Sequence, residues 1–265
     1  MKKGILIFSA VLMTLSLLAF SVLNSTNTYE VKDSTIAENI KAPQKIDTSI
    51  FSDFIYDVGT RFSPIKKADL NSLRSFDDII EQEHAQRIIA YTSLTVFLVQ
   101  DDKKMNTKAV GTSGEFNTKQ LKMLQDFDTS TNLVIRAEYQ GKHEETGVVE
   151  DTYSSPYFTI VPEKQAVYAD GKEALITFLK EKGKAAVAKA HVDAKKLKPA
   201  KLYFTVTTNG TVDKVKLDRS SNYPEIDDFM IELIQKTPRN WIPAENSNGE
   251  KVEQELVVSF GLLGC

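Results

Sequence analysis

From Lys201 onward, apolar and polar positions fall into a pattern that predicts one element after another. Leu202, Phe204 and Val206 alternate with Tyr203, Thr205 and Thr207, the two-residue period of a strand with one buried face. Asn209-Gly210 then predicts a tight hairpin turn with two positive-φ residues. Val212, Val215 and Leu217 continue an apolar face into a second strand, and the step from Val212 to Val215 predicts a bulge. Pro224 opens a helix in which Ile226, Phe229, Met230, Leu233 and Ile234 form one stripe facing a sheet, and Pro238 ends it. Trp241-Ile242-Pro243-Ala244 leads to a turn at Asn248-Gly249, and Leu256, Val258 and Phe260 mark one face of a last strand. The order is strand, strand, helix, strand.

The preceding half is less regular. Asp69 is placed to cap a short helix holding Leu70 and Leu73, and Ser75 with Asp78 resembles a capping box for a helix over 79–87. Ile88 to Gln100, rich in Ile, Val, Thr, Tyr and Phe, predicts a long strand with Asp101-Asp-Lys-Lys104 as its turn. Gly111 to Gly114 is a loop, and Asn117 or Thr118 caps a helix through Leu121 and Leu124. Leu133, Ile135 and Ala137 alternate in a further strand, and Tyr157 to Val161 makes another. Pro162-Glu-Lys164 marks a boundary. Beyond it Asp170, with Glu173 in the reciprocal position, caps a helix that buries Ala174, Leu175, Phe178 and Leu179. Lys180 to Lys198 reads as a second helix or a solvated connector.

At the start, Lys2 and Lys3 precede an uncharged apolar run from Gly4 to Leu23. Residues 1–25 therefore predict a secretory signal peptide or a single membrane anchor through 4–23, and both readings put the rest of the chain in the periplasm or cell envelope. The polar stretch 26–49 reads as a flexible tether, reaching at most roughly 85 Å when fully extended. The expected organisation is thus a leader or anchor, a tether, a β-rich α+β module over 50–163 and a smaller β-β-α-β domain over 164–265.

Composition narrows the function. The chain has 265 residues, 42% hydrophobic and 26% charged, with a net charge of −3 and no block of like charge, so nothing supports nucleic-acid binding. Cys265 is the only cysteine and forms no internal disulfide. His84, His143 and His191 fall in different elements without metal-ligand spacing, and His143-Glu-Glu145 sits in a loop between Gly141 and Gly147. Gly111-Thr-Ser-Gly114 lacks the spacing of a nucleophile elbow, and Asp170-Gly-Lys172 lacks the rest of a phosphate loop. Asp227 and Asp228 are adjacent on a helix and diverge. These readings predict a non-enzymatic protein with no catalytic residue, cofactor or metal.

The residues from Val206 to Ser221, Trp241 to Ala244, Gly249 to Val252 and Leu256 to Phe260, in that order, resemble the TonB C-terminal domain. Upstream, Tyr168 to Leu179 is similar to the run ahead of that domain in many Bacteroidetes members. The likeness spans roughly residues 164–262. The family's Tyr-Pro ahead of the first strand is replaced here by Lys198-Pro-Ala200.

A three-stranded sheet backed by helices leaves an edge of unpaired backbone groups that accepts an extended peptide as an added strand. In the TonB family the terminal strand binds a segment of outer-membrane receptors in this way. Carried onto this chain, the resemblance implies a binding surface at Glu253, Glu255, Leu256, Val257, Val258, Ser259 and Phe260. With Leu256, Val258 and Phe260 buried, Glu253, Glu255, Val257 and Ser259 would face outward. Trp241 packs under the helix or serves as a surface hot spot. The partner implied is an outer-membrane receptor, with energy transduction for transport as the activity. The alternative is a periplasmic scaffold that uses the fold to assemble with another envelope protein or with a second copy.

Overall fold

The structure, a computed structural model, describes residues 54–100, 103–189, 192–193, 195–237 and 241–262. The predicted leader and tether, His191, Pro238 and Cys265 lie outside the described residues. The chain is α+β, with two separate hydrophobic cores, each built on its own main sheet.

The first sheet contains β2 (Ser63–Lys66), β3 (Ile88–Gln100), β4 (Lys103–Gly111), β5 (Asn132–Lys142), β6 (Val149–Ser154) and β7 (Tyr157–Val161). Its order is β2-β7-β5-β3-β4, and β6 pairs with β5 on the side that β7 occupies further along. All pairs are antiparallel except β2 with β7. Leu94 faces Ala137 and Val96 faces Ile135 across β3 and β5, and all four are fully buried. A one-residue slip between the two strands would take these fully buried side chains out of the core.

Two short elements cover this core. Ser75 forms a capping box with Asp78, as its spacing predicts, but it opens a 3-10 turn at Phe76–Ile79 rather than a helix to residue 87. The Asp78 carboxylate accepts from the backbone N–H of Ser75 and Arg74, and these bonds hold its pKa below the usual carboxylate value. A single short helix, α1 (Gln82–Ala85), follows. In α2 (Thr118–Asp126) Asn117 is the N-cap, accepting from the N–H of Lys119 and Gln120.

The second sheet contains β1 (Phe54–Gly59), β9 (Ala200–Val206), β10 (Val212–Arg219) and β14 (Gln254–Leu262), in the order β1-β14-β9-β10 and entirely antiparallel. Between them the chain forms β8 (Val167–Tyr168), α3 (Lys172–Lys189), α4 (Pro224–Gln235), β11 (Trp241–Ile242) and a small hairpin of β12 (Ala244–Glu245) and β13 (Lys251–Val252). Helix α3 continues into the stretch 180–198 read as a second helix or a connector, and ends at Lys189. In α4 the predicted stripe is the buried one: Ile226, Met230 and Ile234 meet Leu202, Phe204, Leu256 and Val258 in one core. Each such side chain contributes roughly 1.5–3 kcal/mol when fully buried. Asp227 is buried too, its carboxylate accepting from Ser220 Oγ at 2.5 Å and from the Ser221 N–H at 2.9 Å, so it closes the turn into α4.

Two local expectations resolve differently. The bulge falls where the Val212 to Val215 step places it, between Asp213 and Lys216, with Lys214 at φ 52°. The hairpin turn, however, has one positive-φ residue, Gly210 at 72°, with Gly210 N–H donating to the Thr207 carbonyl and Thr207 N–H to the Thr211 carbonyl. It is a three-residue loop, the next most favoured solution for a twisted hairpin. Gly210 also lies against the Trp241 carbonyl so closely that a Cβ would overlap it.

Candidate binding surface at the last strand

Strand β14 is the site that the sequence points to, and the structure changes its surroundings. It is an interior strand. On one side it pairs with β9 from Gln254↔Val206 to Phe260↔Ala200, and on the other with β1 from Phe54↔Leu262 to Gly59↔Val257. The expected open edge is therefore filled by six residues from the region assigned to the first module, which makes the sheet four-stranded. The reason is apolar burial: Phe54, Tyr56 and Val58 alternate inward and are 3%, 5% and 7% exposed in the second core.

Past the end of β1 the edge is still covered. The Glu255 N–H donates to Ser130 Oγ at 2.9 Å, and the Gln254 side chain accepts from the Ala166 N–H at 2.7 Å. From Glu255 to Gly261, the β14 N–H groups on this side are taken by Ser130 Oγ and by β1.

The predicted site residues separate accordingly. Leu256, Val258 and Phe260 are buried in the core, as the alternation requires. Val257, expected to face outward, is buried as well, flanked in register by Gly59 and Tyr203 on the opposite face of the sheet. On that face the Arg61 guanidinium lies 4.9 Å from the Tyr203 ring centroid and 3.6 Å from Asp218. Glu253 is exposed and paired with Lys214 at 3.0 Å. Glu255 is half-buried, and desolvation raises its pKa against the opposing pull of Lys216 and Arg61. Ser259, half-buried, lies opposite Asp57.

Trp241 is a core residue rather than a surface hot spot. Its indole packs edge-on against Tyr168 at 5.6 Å and tilted against Phe204 at 5.4 Å, and its buried Nε1 has no hydrogen-bond partner among the described residues. One side of the indole lines an apolar cavity of about 200 Å³, shared with Val58, Gly59, Val167, Leu175 and Leu256. β11 and β8 bring Trp241 there by pairing with Tyr168, and the same pairing sets Ile242 beside Val167, both about half exposed. This cavity has no signal in sequence spacing, because its lining comes from five separate segments.

Two histidines read as unrelated also meet. His84 and His143 line one cavity of about 240 Å³ with Arg87, Tyr139 and Glu144. His84 Nε2 lies 2.6 Å from the Tyr139 hydroxyl, while His143 Nδ1 accepts from the N–H of Glu145, a bond within its own loop. Among the described residues no group of three or more His, Cys, Asp or Glu side chains could hold a metal ion.

No protein-family model matches the chain, and neither a curated protein nor a solved structure matches it. Among the described residues no helix is long and apolar enough to cross a membrane.

Proposed function

We propose that this chain is a non-enzymatic assembly module of the cell envelope whose second sheet is completed internally by β1, so that partners engage surfaces other than the β14 edge. The observation that carries this reading is the continuous β1–β14 ladder. A partner adding a strand there must first displace three buried side chains, a loss of roughly 5–9 kcal/mol at about 1.5–3 each. Micromolar binding amounts to only about 8 kcal/mol. A partner that refills the same sites recovers this burial, yet it competes with a strand held in the same chain at an effective concentration in the millimolar range. The balance favours a scaffold over a receptor-binding transducer.

Amide hydrogen exchange tests it. Because the Glu255 N–H points to the β1 side, the N–H groups of Val257, Ser259 and Gly261 point there too, and those of Leu256, Val258 and Phe260 point to β9. Equal protection of the two sets supports a completed sheet. Fast exchange confined to Val257, Ser259 and Gly261 would show that β1 leaves readily and would return the edge to an incoming strand.

A further inference from the structure

The first sheet ends in β4 on one side and, beside the far half of β5, in β6 on the other. Both outer strands keep backbone groups unused. The Val110 carbonyl accepts from Asn117 Nδ2 at 2.9 Å, so Val110 turns its N–H and C=O away from β3, and so does Lys108 two residues before it. On β5 the Lys142 N–H donates to the Arg87 carbonyl, away from β6, so Val149 opposite Lys142 turns its own groups outward, as does Asp151 two residues on. Apart from the Val110 carbonyl, no described group bonds these outward atoms.

The two edges fit each other. β4 runs against β3, β3 against β5 and β5 against β6, so β6 of a second copy laid beside β4 in the same orientation is antiparallel to it. The side chains also share a face: Val110 lies opposite Thr95, Thr95 opposite Arg136, and Arg136 is on the same side of β5 as Gln140 and Lys142, the partners of Asp151 and Val149. One register then satisfies both backbones, with Asp151 opposite Lys108 and Val149 opposite Val110. The valines, 52% and 51% exposed in the single chain, cover each other. Lys108 and Asp151 are exposed and not salt-bridged among the described residues, and the register makes them an ion pair.

Charge selects this pairing over the symmetric ones. β4 against a second β4 sets lysines beside lysines, and β6 against a second β6 sets Glu150 and Asp151 beside their own copies; like charges across a strand pair destabilise it. Lysines on one edge alone would only discourage an added strand. Here the opposite edge of the same sheet carries the matching carboxylate. The ladder is short, because Met105 to Thr107 bulge opposite Leu98 at one end and the Asn117 amide closes the other. Small contacts of this kind are weak and concentration-dependent.

We infer that the chain assembles head to tail with further copies of itself, β6 of one copy adding antiparallel to β4 of the next with Asp151 opposite Lys108 and Val149 opposite Val110. Val110 is level with Arg136 and Val149 with Lys142, so successive copies are offset by the six residues from Arg136 to Lys142, about 20 Å along the strands, in an open-ended row. This inference rests on the assembly reading and names the partner and the surface for it.

Disulfide trapping tests it on the full-length chain in mild detergent, with Cys265→Ser removing the only native thiol. Val110→Cys and Val149→Cys alter exposed positions, and the proposed pair sets their Cα atoms about 5.5 Å apart, within disulfide reach. With one variant ¹⁵N-labelled, intact mass gives the composition of each linked product. The oxidised mixture should yield mixed dimer at least several-fold above either same-variant dimer. Adding Lys108→Glu to the Val110→Cys chain should cut the mixed dimer several-fold, and adding Asp151→Lys to the Val149→Cys chain should then restore it, a reversal that a folding defect would not show. Same-variant dimers as abundant as mixed ones, no mixed dimer at millimolar protein, or no recovery with the exchanged charges would each overturn the proposal. None of these readouts depends on exchange at Val257, Ser259 and Gly261, so the self-pairing and the completed sheet stand or fall separately.

Discussion

Tyr56 on β1 lies opposite Phe260 on β14, their ring centroids 6.5 Å apart and their planes inclined by only 20°. Burial pushes the Tyr56 phenol up to about 12, so the ring enters the core with a neutral hydroxyl. That hydroxyl reaches α3 at Gly183, where an added Cβ would overlap the oxygen while the ring carbon stays 3.4 Å away. The contact fixes a glycine in the middle of an 18-residue helix, where alanine would otherwise be better by about 1 kcal/mol. Gly183→Ala should therefore lower stability in the unaltered chain, by about 1 kcal/mol after the propensity gain is subtracted from the overlap. In a Tyr56→Phe background the same change should raise it. Urea unfolding of the four proteins of this cycle measures the reversal, and a Gly183→Ala effect of equal sign in both backgrounds would place Tyr56 elsewhere.

Gly210 answers to Trp241 in a similar way. Its φ of 72° is unfavourable for any residue with a Cβ, by roughly 1–2 kcal/mol, and the neighbouring atom is a backbone carbonyl that has no rotamer to escape into. Gly210→Ala should thus destabilise the second core by about 2 kcal/mol or more. Fluorescence of the single tryptophan, followed through urea unfolding, reads this out beside the altered position.

Much of the second core was readable from sequence because each element there buries one face. The stripe of α4 and the alternation of β9 identify their inner sides directly. Strand β1 carries the same signal in Phe54, Tyr56 and Val58, yet its partner lies about 200 residues away, and periodicity names a face without naming a neighbour. β4 escaped because its residues are exposed along nearly its whole length, so no buried face creates an alternation. For β14 the clue lay in the unbroken Leu256-Val257-Val258 run. Such a run is the mark of a strand covered on both faces and not of a half-solvated edge.

Glu255 gives the covered face a pH signature. Desolvation raises its folded pKa above the unfolded value, so the folded state favours the protonated form. The stabilisation is fully present below the unfolded pKa near 4.5 and is lost as pH rises through the higher folded value. Glu255→Gln should accordingly increase stability at neutral pH, with the advantage shrinking as pH falls through the higher folded value and gone below the unfolded one. Asp78 runs the other way: its depressed pKa stabilises at neutral pH and the benefit fades as pH falls through the folded value. Urea midpoints against pH for Glu255→Gln and Asp78→Asn should diverge in opposite directions from the unaltered protein at neutral pH.

In the first core the most consequential polar residue is Gln120, fully buried at the start of α2. Its Oε1 accepts from the Asn117 N–H and its Nε2 donates to the Leu94 carbonyl of β3, both at 2.8 Å, so one amide joins the helix cap to the central strand. Gln120→Leu keeps the bulk but strands both backbone groups, at about 1–3 kcal/mol each. Gln120→Glu separates the two bonds. Ionised, the carboxylate still accepts from Asn117 but faces the Leu94 carbonyl without a proton, and burial penalises the charge. Protonated, it donates as the amide does. Gln120→Glu should therefore be strongly destabilised at neutral pH and recover as pH falls toward 4, whereas Gln120→Leu should show no such recovery. Parallel behaviour of the two variants in thermal unfolding across that range would mean that the Leu94 bond is not what Gln120 contributes.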